Sequence, residues 1–188
     1  MQVETTNLDG VLLIKPRVFS DDRGCFFESF QHKRYAAHGI EAEFIQDNLS
    51  YSAKGTLRGL HYQLAHPQGK LVTVLQGKVL DVAVDIRVGS NTFGQTFSCE
   101  LSDDNHHQVY IPPGFAHGFC VLSDTACFHY KCTDYYYPND EYGVAWNDPS
   151  LDIHWPIFDN FLVSEKDQQH LPLKDIPATN LPYMPNSS

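Results

Sequence analysis

No run of about eighteen apolar residues occurs in the chain, so nothing in it reads as a membrane-crossing helix. The first ten residues, MQVETTNLDG, are polar and lack the basic-then-apolar order of an export leader. A soluble, cytoplasmic protein is expected, with no membrane partner. The five cysteines, Cys25, Cys99, Cys120, Cys127 and Cys132, are odd in number and form no Cys-x-x-Cys pair. That leaves no basis for a disulfide framework or a thiolate metal site, and they read as small, reduced core residues. Basic residues are scarce after residue 88. Residues 89–188 hold three (Lys131, Lys166, Lys174) against thirteen acidic, while the ten basic and ten acidic residues before them cancel. The whole formal net charge of −10 therefore comes from the second half. Such a surface repels nucleic acid polymers, and none is expected as a partner. A small phosphorylated ligand stays open, with its Arg and Lys drawn from the first half.

Also missing are βαβ alternation, an internal repeat and an obvious linker. What is present is a chain of 188 residues, 42% hydrophobic and 19% charged, which fits one globular domain over residues 1–188. Short runs rich in Val, Ile, Phe, Tyr and Thr recur between Gly, Pro, Asn and Asp. Strands are predicted at Val11–Lys15, Cys25–Phe30, Glu43–Ser50, Thr56–Leu64, Leu71–Gln76, Val79–Ile86, Thr96–Leu101, His107–Ile111, His117–Leu122, Thr125–Cys132 and Gly143–Trp146. A helix is predicted over Gln31–His38, stopped by Gly39, and a short turn over Lys166–Gln169. Gly77, at the centre of LVTVLQGKVLDVAVDIR, suggests a tight hairpin. From about Pro172 the chain is Pro-rich and expected to drape over the surface. The pattern argues for an all-β antiparallel sandwich or closed barrel with a few short helices.

Two stretches carry chemistry: RGLHYQLAHPQGKLVTVLQG (58–77) and IPPGFAHGF (111–119). In the second, Pro112-x-Gly114-x-x-His117 resembles the second motif of cupins, small jelly-roll barrels in which that histidine usually binds a metal. The first motif of metal cupins runs His-x-His, then Glu, then Gly. Counted back from Gly77, the glutamate slot is Lys70 and the second histidine slot is Gln63. A divalent ion wants imidazole, carboxylate or thiolate donors, and an ammonium repels it. The pattern reads as a site that keeps His61 and His117 and exchanges the metal for a fixed cation, so no metal is expected. Proton removal beside a ketone puts charge on the ketone oxygen, which an ammonium stabilises. An imidazole, with an unperturbed pKa near 6.5, suits the abstraction, so His61 is the candidate base. Tyr130 is a candidate acid, because strand alternation puts it on the face of Phe128 and Cys132.

The strings DDRGCFFESF, FIQDNLS, LRGLHYQL, QGKLV, VAVDIR, FGQ, IPPGFAHGF, YKCTDYYYPNDE, WNDPSLDIHWP and SEKD follow in this order. Together they resemble the dTDP-4-dehydrorhamnose 3,5-epimerase family over roughly residues 2–170. The resemblance implies a cupin-type jelly roll, with His61 as base, Asp167 orienting it, Tyr130 as acid and Lys70 holding the enolate oxygen. For the substrate it implies Arg23, Glu28, Gln46, Asp47, Asn48, Arg58, His117, Glu141 and Lys166, with Tyr136 stacking on thymine. The implied reaction converts dTDP-4-dehydro-6-deoxy-α-D-glucose to dTDP-4-dehydro-β-L-rhamnose for dTDP-L-rhamnose biosynthesis. It exchanges protons at C3 and C5, without a cofactor. A homodimer exchanging strand contacts is also implied, a role that the segment before residue 56 suits.

Taken without the resemblance, several of these residues have ordinary roles. Asp167 suits a helix cap. Arg23 suits the turn Asp21-Asp22-Arg23-Gly24, and the run Tyr135–Tyr137 suits a strand surface. His32, His38, His66, His106, His107 and His170 have no motif context, and His129 and His154 stay unassigned. Arg58 poses a conflict: strict alternation sets it on the opposite face from His61. Either Gly59 marks a bulge, or Arg58 reaches a ligand from another surface, such as a neighbouring subunit's pocket. Three functions stay open: the 3,5-epimerase or a one-carbon sister, a metal-dependent cupin enzyme using His61 and His117, and a jelly-roll module that only binds a nucleotide sugar.

Overall fold

Side-chain alternation decides which way each strand faces, and here it builds two sheets closed on one apolar interior. The computed structural model describes residues 1–184. In chain order its strands are β1 (Gln2–Thr5), β2 (Leu12–Lys15), β3 (Phe19–Asp21), β4 (Gly24–Phe26), β5 (Gln46–Ala53), β6 (Thr56–Gln63), β7 (Lys70–Gln76), β8 (Lys78–Asp85), β9 (Thr96–Ser102), β10 (Gln108–Ile111), β11 (Phe115–Val121), β12 (Thr125–Cys132), β13 (Glu141–Gly143) and β14 (Leu162–Val163). The helices are α1 (His32–Ala36) and α2 (Glu165–Gln168). One sheet runs β1-β2-β10-β7-β12-β5. The other runs β13-β6-β11-β8-β9, with β14 alongside β6, and β3–β4 form a separate hairpin. The fold is an all-β jelly roll of the cupin type.

Inward positions alternate along every central strand. Val72 and Val74 of β7, Val79 and Ala83 of β8, Phe115, Phe119 and Val121 of β11, and Ala126 and Phe128 of β12 share one buried cluster. Both outer faces are partly covered. Tyr35 of α1 and Ile40 pack with Ile14, Leu71 and Tyr110 over one sheet. Leu173 and Leu181 of the C-terminal segment pack with Leu60, Val82, Val84 and Ile86 over the other. That segment is also tied by backbone bonds from Val88 N to Pro182 O (2.8 Å) and from Met184 N to Val88 O (2.9 Å). Residues 185–188 of the expected surface tail lie outside the described residues.

Every predicted strand overlaps an observed one, Gly143–Trp146 at Gly143 alone. The unpredicted strands β1, β3 and β14 are two to four residues long and none contains a buried residue, so they carry little apolar periodicity. The predicted first helix shortens to α1, with Gln31 capping it and Gly39 at positive φ beyond it. The second helix begins at Glu165, one residue before the predicted start, because Ser164 caps it. The hairpin at Gly77 is a correction. Both flanks of β7 are taken by β10 and β12, so the chain crosses at Gly77 (φ +79°) into the other sheet, where β8 pairs with β9 and β11. Positive φ was legible; which sheet the next strand joins was not.

The conflict over Arg58 ends in a bulge. His61 pairs with His117 and Arg58 with Phe119, so β6 carries one more residue than β11 over this stretch. Gly59 has φ +120°, and a Cβ there would lie 2.6 Å from Gly118 Cα and 2.7 Å from His117 O. The bulge thus depends on Gly59 having no side chain. Gly59→Ala is expected to cost about 2 kcal/mol or more of stability, read as a lower midpoint in denaturant unfolding; an unchanged midpoint refutes this account.

Candidate active site

A cavity of about 810 Å³ opens between the two sheets. Its walls are set by alternation. Gln46, Asn48 and Ser50 project from β5, Phe128 and Tyr130 from β12, and Lys70 from the start of β7. The opposite wall holds Arg58, His61 and Gln63 of β6 with His117 of β11, and Tyr136, Glu141, Lys166 and Asp167 complete it.

One polar dyad is built across the sequence. Ser164 Oγ accepts the Asp167 N–H (3.1 Å) and starts α2, which aims the Asp167 carboxylate at β6. Asp167 Oδ1 meets His61 Nε2 at 2.7 Å, and Oδ2 accepts the Gly59 N–H at 3.1 Å. The bulge that turns Arg58 inward therefore also anchors the carboxylate. A carboxylate partner makes Nε2 the protonated nitrogen of a neutral His61. Nδ1 lies 3.8 Å from Glu141 Oε1. Burial alone would raise the Asp167 pKa, but the flanking imidazoles of His170 (3.7 Å) and His61, with the Gly59 N–H, hold it far below the usual carboxylate range. Asp167 stays ionised.

A second imidazole is held the same way, with His117 Nε2 2.8 Å from Asp81 Oδ2 and both residues buried. Its ring stacks near Phe128, which in turn lies 4.1 Å from the Phe119 ring. Desolvation lowers the pKa of the Lys70 ammonium, against the pull of Cys132, Asp81 and Glu141. Among the described residues no carboxylate lies within 4.0 Å of it. Burial raises the Tyr130 phenol above its ordinary value, so it is protonated at neutral pH. At the mouth, Glu141 Oε2 accepts from both Lys166 Nζ (2.6 Å) and Tyr136 OH (2.5 Å). Burial opposes ionisation of Glu141, but these bonds and His61 outweigh it and lower its pKa. The same bond pushes the Tyr136 phenol up to about 12.

Of the residues singled out in the sequence, Gln46, Asn48, Arg58, His61, Lys70, His117, Tyr130, Tyr136, Glu141, Lys166 and Asp167 meet in this cavity. Arg23, Glu28 and Asp47 do not line it in their own chain. Arg23 sits in the β3–β4 turn bound to Asp21, and Glu28 pairs with Arg34. Asp47 lies between two inward positions of β5, so alternation turns it outward to Lys131, at 2.8 Å. Sequence reasoning missed Asp81, although a lone carboxylate in the apolar run VLDVAV was a visible signal. It also missed Ser50, whose buried hydroxyl has no partner among the described residues, and His170, whose place beside Asp167 depends on a fold contact that no motif records.

The cupin metal slots do not fit a divalent ion here. Lys70 offers no lone pair as an ammonium, and Gln63 spends its carboxamide on the Tyr137 N–H and on the carbonyls of His66 and Tyr135. His61, Asp167 and His170 do bring donors within 4.8 Å of one another, but Asp167 Oδ1 is already taken by His61.

Asp167 gives a pH prediction. Its folded pKa lies below the unfolded value near 3.9, so its stabilisation is complete above that value and is lost as pH falls through it towards the folded pKa. Asp167→Asn is expected to lower stability at pH 7 by about 1–3 kcal/mol and to flatten the acid limb of the stability profile. Denaturant titrations from pH 7 to pH 3 check this, and parallel profiles for the two proteins contradict it.

Comparison with known proteins places this geometry. A family model described as dTDP-4-dehydrorhamnose 3,5-epimerase matches residues 5–175. The chain is 52% identical over 170 residues to the dTDP-4-dehydrorhamnose 3,5-epimerase of Pseudomonas aeruginosa, covering 90% of this chain and 94% of that one. It is 47% identical over 175 residues to that of Methanothermobacter thermautotrophicus, covering 92% and 95%. The solved structure of dTDP-6-deoxy-D-glucose-3,5-epimerase RmlC from Legionella pneumophila, in complex with dTDP-4-keto-L-rhamnose, superposes with a TM-score of 0.95 at 51% identity, covering 97% and 98%. With cavity, fold and sequence in agreement, the chain belongs to the dTDP-4-dehydrorhamnose 3,5-epimerase family.

Proposed function

We infer that this protein epimerises C3 and C5 of dTDP-4-dehydro-6-deoxy-D-glucose, giving dTDP-4-dehydro-L-rhamnose for dTDP-L-rhamnose biosynthesis. One observation carries the reading: an imidazole on one sheet and a phenol on the other line the same cavity, with an ammonium among them. A sugar ring lying between the sheets presents one face to His61 and the other to Tyr130. His61 takes the proton from the carbon beside the C4 ketone, and the electron pair moves onto O4 as an enolate. Lys70 stabilises that oxygen. Tyr130 then delivers a proton to the opposite face of the same carbon, inverting it. Exchange with solvent returns His61 to the neutral form and Tyr130 to the phenol before the second carbon is treated. Asp167 fixes the imidazole and offsets its charge while it is protonated. Both steps are proton exchanges, so the chemistry calls for no redox partner.

The nucleotide end falls to the mouth of the cavity. Tyr136 offers an aromatic face for the thymine ring, while Arg58, Lys166, Gln46 and Asn48 supply charge and hydrogen bonds around it. Arg23 and Glu28 serve a cavity only in a homodimer, in which the β3–β4 hairpin of one protomer reaches the other. The hairpin's exposed Phe19 and Phe26, 52% and 72% accessible, support that placement. Five free cysteines accord with work in the cytoplasm.

Incubation of the 4-keto sugar in heavy water is expected to put deuterium at C3 and C5, followed by NMR. His61→Ala should abolish exchange, and Tyr130→Phe should slow turnover by about 10²-fold or more. Exchange at C3 alone would reassign the protein to one-carbon epimerisation, and tight binding without exchange to a binding module. Sedimentation is expected to give twice the 21.3 kDa chain mass. A fully active monomer would exclude the hairpin exchange.

A further inference from the structure

We infer that Gln63 is a positioning residue for the nucleobase platform, acting through the backbone on both sides of Tyr136. The inference rests on the reading of Tyr136 as that platform. Gln63 is 6% accessible and stands where metal cupins carry a histidine. Its Oε1 accepts the Tyr137 N–H at 2.8 Å, and its Nε2 donates to the carbonyls of Tyr135 (3.1 Å) and His66 (2.7 Å). One carboxamide thus grips the peptides before and after Tyr136 and joins them to the loop that follows β6.

Other contacts make this grip specific to the platform. The Tyr136 N–H is held by Gln46 Oε1 at 2.9 Å, and its hydroxyl by Glu141. Asp140 accepts the N–H groups of Leu64, Ala65 and His66 at 3.3, 3.0 and 2.8 Å, and the His66 ring stacks on Tyr137 at 3.9 Å. The two loops are sewn into one unit, and Gln63 is its buried link. Tyr136 itself remains 48% accessible. An exposed ring on an unanchored loop loses conformational freedom when a base settles on it; a ring whose backbone is already fixed does not. Only an amide supplies this pattern at this length. Glutamate would turn an acceptor towards two carbonyls, and leucine would leave three part-buried backbone groups without their partner.

The test is calorimetric titration with dTDP, paired with deuterium exchange at saturating 4-keto sugar. Gln63→Leu is expected to weaken dTDP about tenfold, roughly the loss of most of one base-stacking contact, and to raise KM similarly. The exchange rate at saturation should stay within about threefold of wild type, because the groups around the ketone are untouched. In a Tyr136→Ala background, Gln63→Leu should add little. Should Gln63→Leu fail to fold, Gln63→Glu, which keeps the size and the acceptor for Tyr137, serves in its place. If Tyr136→Ala weakens dTDP while the Gln63 variants only lower the thermal midpoint, the clamp is overturned and the platform stands. If Tyr136→Ala leaves dTDP affinity unchanged, the platform reading fails and takes the clamp with it.

Discussion

The Asp167 carboxylate is the contact on which the site's geometry rests. One oxygen fixes the ring of His61 and the other holds the backbone N–H of Gly59, so the same group sets the imidazole and the bulge beside it. It arrives by a defined route: β14 lies parallel to β6, Ser164 follows immediately and caps α2, and Asp167 is on that first turn. A buried carboxylate costs free energy unless its oxygens are satisfied, and here each has a donor. Seating of the C-terminal segment and orientation of the imidazole are consequently one event.

The distribution of cations follows a similar division. Lys166 is neutralised by Glu141, which also holds Tyr136. Among the described residues, Arg58 is held only by the Ser52 hydroxyl, at 3.3 Å from two of its nitrogens, and Lys70 has no carboxylate within ion-pair distance. Two cations therefore keep their charge available to oxygens of a ligand, in a protein whose net charge is −10. A locally positive cavity in an acidic body favours small anions over polymeric ones, whose further charges meet the surrounding surface.

Much of this was legible because local rules and tertiary structure agree. The inward set of Lys70, His117 and Tyr130 follows from alternation in strands whose apolar phase is unambiguous, and the cupin spacing found Lys70 before any fold was known. Reading failed where one residue's placement depended on distant chain. Gly77 announced a positive φ, but the choice between hairpin and sheet crossing is made by β10 and β12 filling both flanks of β7. Asp47 was grouped with Gln46 and Asn48 by its motif, and the strand period separates them. Asp81 gave a signal that went unused, whereas His170 gave none, since its position depends on a glycine contact at Gly143. Arg23 sits in the β3–β4 turn and Glu28 just beyond β4, and neither lines the cavity of its own chain.

The extra residue at Gly59 fixes more than one rotamer. It puts Arg58 and His61, three positions apart, on one face of a strand whose neighbours repeat every two. Removing that residue would take away the bulge and, with it, the N–H that Asp167 accepts. This segment is accordingly intolerant of length change at its centre. Loops elsewhere in the barrel can lengthen at small entropic cost. Within the family's range of divergence, insertions and deletions should collect in such loops, while the interval from Arg58 to His61 is kept at constant length.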